Sequence, residues 1–190
     1  GALAERILIW PFFLFTAILT AFIYPIAGSW QWGGGWLSEM GFSDFAGSTL
    51  VHSVGGYAAL AGAILLGARD GKYSADGKVN VIGGCSLPMT TLGVFILWLG
   101  WFGFNGGSQL ALGSGADATA VADIFVNTNL AAAGGVLACM IVSKATNSHT
   151  NIAATLNGAI AGLVAITAEP LTPSMGQAVI IGAIGGIICM

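Results

Sequence analysis

The chain has 190 residues, of which 56% are hydrophobic and only 7% are charged, and its mean hydropathy is +0.87. Soluble domains carry about 25% charged residues, so this composition excludes an ordinary soluble fold and indicates a protein solvated mainly by lipid. The net charge is −3 and no basic tract is present, which argues against a nucleic-acid partner.

Six apolar stretches are long enough to be membrane-spanning helices, which need about 20 mostly apolar residues. In chain order they lie at residues 7–27, 45–67, 87–107, 119–142, 152–168 and 175–190. Strands are not expected, because no ten-residue alternation is present and open sheet edges cannot face lipid. The sequence predicts an all-α integral membrane protein with a bundle of about six transmembrane helices.

These six helices are expected to form a single transmembrane domain over residues 1–190. The chain starts at Gly1 without a methionine and ends at Met190 inside an apolar run. From this we expect the domain to be truncated at both ends. No signal peptide is evident, which predicts an inner or plasma membrane location.

The basic residues predict the orientation of the six helices. If the first helix runs outward, all five lie on one side of the membrane, namely Arg6, Arg69, Lys72, Lys78 and Lys144. The connecting segments on the opposite side, 28–44, 109–118 and 169–174, contain no Lys or Arg. Because basic loops stay on the cytoplasmic side, the loops that carry these residues are predicted to be cytoplasmic.

Two ionisable side chains stand in or beside the second stretch. His52 lies about two turns into it, where an imidazole must face protein or a cavity because lipid offers no hydrogen-bonding partner. It is either a packing histidine bonded to a neighbour or a pore-lining group. Asp44 precedes the stretch and has the position and chemistry of a helix N-cap.

Aromatic residues cluster near the outer ends of the first and third stretches. The first is followed by Trp30, Trp32 and Trp36. The third contains Phe104 in its last turn and is followed by Ser108. The tryptophans fit either an interfacial aromatic belt or a cation–π site, in which an indole face attracts a small cation. No nucleophile, metalloprotease or phosphate-binding motif is present, so neither an enzyme, a cofactor nor a metal site is predicted.

Several segments taken together resemble the ammonium transporter family, which includes the Rh proteins. The matching segments are GALAERI (1–7), WGGGWL (32–37), DFAGSTLVH (44–52), GWFGFNGGS (100–108), FVNTNLAA (125–132) and NGAIAGLVAIT (157–167). Their order and spacing cover nearly the whole chain and resemble the fourth to ninth of that family's eleven spans. The resemblance therefore implies a fragment of an eleven-span ammonium transporter fold.

The resemblance also implies roles for individual residues. Trp32 and Ser108 would help to form an external ammonium recruitment site, and Phe104 would be one of two phenyl rings that close the pore below it. His52 would be the first of two histidines along a hydrophobic conduction path. Asp44 would hold the recruitment site in shape without touching the substrate. The second histidine and the second phenyl ring belong to spans that this chain does not contain.

The predicted function is that of a channel-like transporter. Ammonium would be recruited at the outer aromatic site and deprotonated, and ammonia would cross the histidine-lined pore. The alternative is an ammonium-sensing receptor domain that binds without transporting. The resemblance further implies a homotrimer and a cytoplasmic regulatory partner of the PII type, besides ammonium or ammonia and the lipid bilayer.

Overall fold

The computed structural model describes residues 1–190, and its regular secondary structure is entirely helical apart from one isolated β-bridge, between Tyr73 and Val79. Seven helices follow one another along the chain. They are α1 (Ile9–Ser29), α2 (Trp36–Glu39), α3 (Ser48–Leu66), α4 (Leu87–Gly107), α5 (Gly115–Asn147), α6 (Ile152–Ile166) and α7 (Met175–Cys189).

Six of these helices are apolar. Helices α1, α3, α4 and α5 are long and apolar enough to cross a membrane. Helices α6 and α7 have 15 residues each, which corresponds to about 22 Å of rise. The prediction of an all-α protein with about six apolar helices is confirmed.

The chain divides into two compact units. The first comprises Gly1–Phe42 and Thr49–Cys85, and the second comprises Ser43–Ser48 and Ser86–Met190. The boundary falls inside α3, between Ser48 and Thr49. The single transmembrane domain over 1–190 stays a prediction.

The core of the second unit is built from α5, α6 and α7, whose backbones approach closely at small residues. A Cβ placed on Gly135 would lie 2.1 Å from the carbonyl oxygen of Gly158, and one on Gly182 would lie 1.9 Å from that of Ala131. Small residues allow such packing between membrane helices, where apolar side chains gain little from leaving lipid. Fully buried Ile124 and Leu163 contribute to this core.

Two helices contain a π-helical stretch, in which the backbone bonds run from residue i to i+5. In α1 the stretch is Leu19–Ile23, and the N–H of Tyr24 donates to the carbonyl of Leu19. The stretch ends two residues before Pro25, which has no N–H and whose ring would crowd the carbonyl four residues earlier in an ordinary helix. In α3 the stretch is Ser48–Ser53.

The start of α5 differs from the sequence-based expectation. The predicted stretch begins at residue 119, yet the helix begins at Gly115 after Ser114, whose hydroxyl accepts from the N–H of Asp117. The Asp117 carboxylate in turn accepts from the N–H of Ser114, which completes a capping box. Hydropathy does not locate the start of α5, because the cap and first turn include the polar residues Ser114 and Asp117.

Candidate functional site

His52 lies in the π-helical stretch of α3. Its side chain is partly buried, and its Nε2 atom is shielded from solvent. A π turn holds one more residue than an α turn and occurs often at functional sites. The imidazole therefore occupies an irregular turn of an otherwise apolar helix, where lipid could not satisfy a polar group.

Asp44 stabilises the start of the same helix from a position just upstream. Its Oδ1 atom accepts from the backbone N–H of Gly47 at 3.0 Å and from that of Ser48 at 2.9 Å. The first N–H groups of a helix have no partner within the helix, and a carboxylate there is also favoured by the helix dipole. Asp44 is only 1% exposed, so this cap is buried within the second unit.

Trp32 lies on a tight turn after α1 that requires glycine. A Cβ on Gly33 would lie 2.8 Å from the carbonyl oxygen of Ser29, and one on Gly35 would lie 2.7 Å from the same atom. Gly34 has a φ of +72°, which side chains disfavour. The turn leaves Trp32 45% exposed.

Phe104 and Ser108 occupy the last turn of α4 and its C-cap. The Ser108 hydroxyl donates to the carbonyl of Phe104 at 2.8 Å. Because a hydroxyl has one proton and two lone pairs, this bond directs its proton into the helix and leaves acceptor capacity for a cation that donates hydrogen bonds. Phe104 is 37% exposed and lies against Trp101, with ring centroids 6.0 Å apart.

Sequence reasoning missed a buried polar cluster beside Phe104. The Nε1 atom of Trp101 donates to the hydroxyl of Thr167 at 2.8 Å, and this hydroxyl lies 3.2 Å from Oδ1 of Asn105. The Nδ2 atom of Asn105 donates to the hydroxyl of Thr128 at 3.0 Å. The available signal was the set of Asn and Thr residues inside apolar helices, where polar side chains bond across helices.

Asn127 also bonds outside its own helix. Its Nδ2 atom donates to the carbonyls of Pro170 at 3.0 Å and Pro173 at 2.8 Å. These carbonyls lie in the turn between α6 and α7, so Asn127 ties a turn rather than a neighbouring helix to α5.

The predicted site residues are divided between the two units. Asp44, Phe104 and Ser108 belong to the second, and Trp32 and His52 belong to the first. Their joint action as a recruitment site and pore stays a prediction. No group of three or more His, Cys, Asp or Glu side chains is arranged to hold a metal ion.

Four helices long and apolar enough to cross a membrane define the class of protein, an α-helical membrane protein. Comparison with known proteins gives the family. The model of the Ammonium Transporter Family matches residues 1–190. The chain belongs to this family.

Individual relatives agree with this assignment. The chain is 46% identical over 198 residues to ammonium transporter Amt2 of Archaeoglobus fulgidus, covering 99% of this chain and 42% of that protein. Among solved structures, a protein named Sensor Amt Protein matches with a TM-score of 0.92 and 45% identity, covering 99% of this chain and 47% of that one.

Mep2 of Candida albicans matches with a TM-score of 0.87 and 38% identity, covering 100% of this chain and 41% of that one. The chain thus spans less than half the length of the curated relatives it matches.

Proposed function

We propose that the chain forms part of an ammonium conduction path. Ammonium is recruited on the outer side by the indole of Trp32 and the hydroxyl of Ser108. Near Phe104 ammonium gives its proton to water on the outer side, and the resulting ammonia passes along the imidazole of His52 through a narrow apolar passage. Asp44 acts indirectly, because its buried carboxylate fixes the backbone at the start of the helix that carries His52.

The physical reason for such an arrangement is the cost of moving charge into hydrocarbon. A bare cation is far more expensive to transfer than a neutral amine. A site made of an indole face and a hydroxyl can hold ammonium where some water remains. Below it, an apolar passage excludes K⁺, which has no proton to release and therefore cannot become neutral.

The observation that carries the proposal is the position of His52. An imidazole on the π-helical turn of a helix apolar enough to span a membrane, with its Nε2 atom shielded from solvent, is costly to bury and is therefore a candidate for function. The membership of the chain in the ammonium transporter family supports the same substrate.

The test is ammonium-dependent current and uptake by the full-length protein reconstituted in liposomes. His52→Ala is expected to abolish flux or to admit K⁺. His149→Ala is the matched control, because His149 is the only other histidine and lies exposed between α5 and α6. Normal flux together with normal K⁺ exclusion in His52→Ala would reject the role of the imidazole.

A second candidate is an ammonium sensor that binds without turnover. It is favoured by the match to the protein named Sensor Amt Protein. Identity does not separate the candidates, because it is 45% to this protein and 46% to the Archaeoglobus transporter. Saturable ammonium binding by the reconstituted protein without current or uptake would favour the sensor.

The remaining features are part of the same proposal. The protein acts as a homotrimer in an inner or plasma membrane. The loop that carries Arg69, Lys72 and Lys78 and the end of α5 that carries Lys144 lie on the cytoplasmic side. A PII-type regulatory protein binds from that side. The size of the purified oligomer and the accessibility of Cys85 to a membrane-impermeant thiol reagent test the oligomeric state and the orientation, since Cys85 is exposed between α3 and α4.

A further inference from the structure

The side chain of Thr167 lies at the centre of the buried polar cluster. Its hydroxyl accepts from the indole N–H of Trp101 at 2.8 Å and is within donating distance of the carbonyl of Leu163 at 2.7 Å and Oδ1 of Asn105 at 3.2 Å. Thr167 and Asn105 are both fully buried. A buried polar group requires such partners, so this hydroxyl has little freedom to move.

The backbone of the same region holds the segment that contains Asp44. The carbonyl of Thr167 accepts from the N–H of Ala46 at 3.0 Å, and that of Ala168 accepts from the N–H of Phe45 at 2.7 Å. The hydroxyl of Ser48 donates to the carbonyl of Val164. The carbonyls at the end of a helix lack partners within the helix, and here residues 45–48 supply donors for carbonyls at and just after the end of α6.

Thr167 therefore bonds to two parts of the second unit at once. Its backbone binds the segment after Asp44, and its side chain binds α4 at Trp101 and Asn105, on either side of Phe104 in the sequence. Trp101, which donates to Thr167, packs against Phe104, and the carbonyl of Asn105 accepts from the N–H of Ser108 at 3.2 Å. The end of α4 is thus held through Trp101 and Asn105.

We infer that Thr167 is a positioning residue for ammonium recruitment. It fixes the position of Phe104 and Ser108 relative to the segment that follows Asp44. This inference rests on the proposed function. Thr167 does not contact the substrate in this account. Its effect acts through the indole of Trp101 and the amide of Asn105.

A threonine that only stabilises its own helix needs a single hydrogen bond within that helix. The hydroxyl of Thr155, on α6, donates to the carbonyl of Asn151 four residues earlier at 2.9 Å. That bond resembles the one between Thr167 and Leu163, yet Thr155 has none of the bonds to α4 that Thr167 makes. Thr155→Val therefore removes the local bond alone and is the matched control.

The experiment compares Thr167→Val, Thr167→Ser and Thr155→Val in the full-length protein reconstituted in liposomes. Thr167→Val keeps the shape and removes the hydroxyl, which leaves a buried indole N–H without an acceptor. We expect the half-saturating ammonium concentration to rise by about tenfold, because an unsatisfied buried donor displaces its neighbours. Thr167→Ser, which restores the hydroxyl, and Thr155→Val are expected to stay within about twofold of the parent protein.

The concentration dependence separates positioning from stability. A variant that is only destabilised gives less active protein, which lowers the maximal flux and leaves the half-saturating concentration unchanged. An unchanged half-saturating concentration in Thr167→Val overturns the inference. If Thr167→Val fails to fold, Trp101→Phe removes the donor from the other side, and an unchanged half-saturating concentration there overturns the inference as well.

Failure of the proposed function gives a different result. If the parent protein binds ammonium without flux, conduction is refuted. The positioning role is then measured as the ammonium dissociation constant of the same variants. A tenfold weaker binding in Thr167→Val, restored in Thr167→Ser, supports the inference, and equal binding rejects it.

Discussion

Gly182 is the position where the packing of the second unit leaves least space for a side chain. A Cβ at this position would lie 1.9 Å from the carbonyl oxygen of Ala131 and 2.6 Å from its α-carbon. Ordinary van der Waals separations begin at 3.4 Å, so the shortfall to the oxygen is 1.5 Å. Because the contacted atoms belong to the backbone of α5, no side-chain rotation relieves the overlap.

Gly182→Ala is therefore expected to push α7 away from α5. Overpacking of this kind costs about 1–3 kcal/mol, which lowers the melting temperature of the variant. Gly176→Ala, on the same helix, is the matched control, because a Cβ on Gly176 would have no atom of a neighbouring element within 4 Å. Alanine favours a helix over glycine by about 0.5–1 kcal/mol, so the control should be neutral or stabilised.

The measurement is thermal unfolding of the purified full-length protein in one detergent, followed by tryptophan fluorescence. The informative quantity is the difference between the two alanine variants, because both gain the same helix propensity. Equal melting temperatures for Gly182→Ala and Gly176→Ala would refute the close approach of α5 and α7 at this position.

Three further predictions concern the caps and turns. Asn127→Leu removes both hydrogen bonds to the proline carbonyls, at a cost of about 1–3 kcal/mol of unfolding free energy. It should therefore speed proteolysis of the 169–174 turn. The control is Asn129→Leu, at an exposed position of the same helix, which should leave the rate of proteolysis unchanged. Asp44→Ala should cost about 0.5–2 kcal/mol in unfolding experiments. Asp44→Asn keeps an acceptor for the same N–H groups and should cost less, so equal losses in the two variants would contradict the cap. Gly33→Ala should displace Trp32 and raise the half-saturating ammonium concentration, while Gly28→Ala, whose Cβ has only an ordinary 3.9 Å contact, should leave it unchanged.

The bounds of the apolar helices were predictable where composition changes sharply. Helix α4 runs from Leu87 to Gly107, the same residues as the third predicted stretch, because Ser86 caps it and Pro88 stands in its first turn, where a missing N–H costs least. Helix α5 extends to Asn147, beyond the predicted end at residue 142, since hydropathy falls before the helix ends. Asp123, four residues into the predicted stretch, lies about two turns inside the helix because the helix begins earlier, at Gly115.

The π-helical turns were not predictable from composition. A π turn adds one residue and so shifts every later side chain around the helix axis relative to an α-helical pattern. The sequence places His52 in an apolar helix, but the direction in which its side chain points from the helix axis depends on this shift. The cluster around Thr167 was missed for a different reason, since single threonines are common in membrane helices and its partners on α4 lie 62 and 66 residues away along the chain.

The length of α5 bears on the bilayers this protein tolerates. Asp123 and Lys144 are 21 residues apart on this helix, a rise of about 31 Å, close to the roughly 30 Å hydrocarbon thickness of a typical membrane. Lipids with shorter acyl chains can be matched by tilting the helix. Longer acyl chains would draw one of the two charges into hydrocarbon, so the mismatch penalty should be steeper toward thick membranes than toward thin ones.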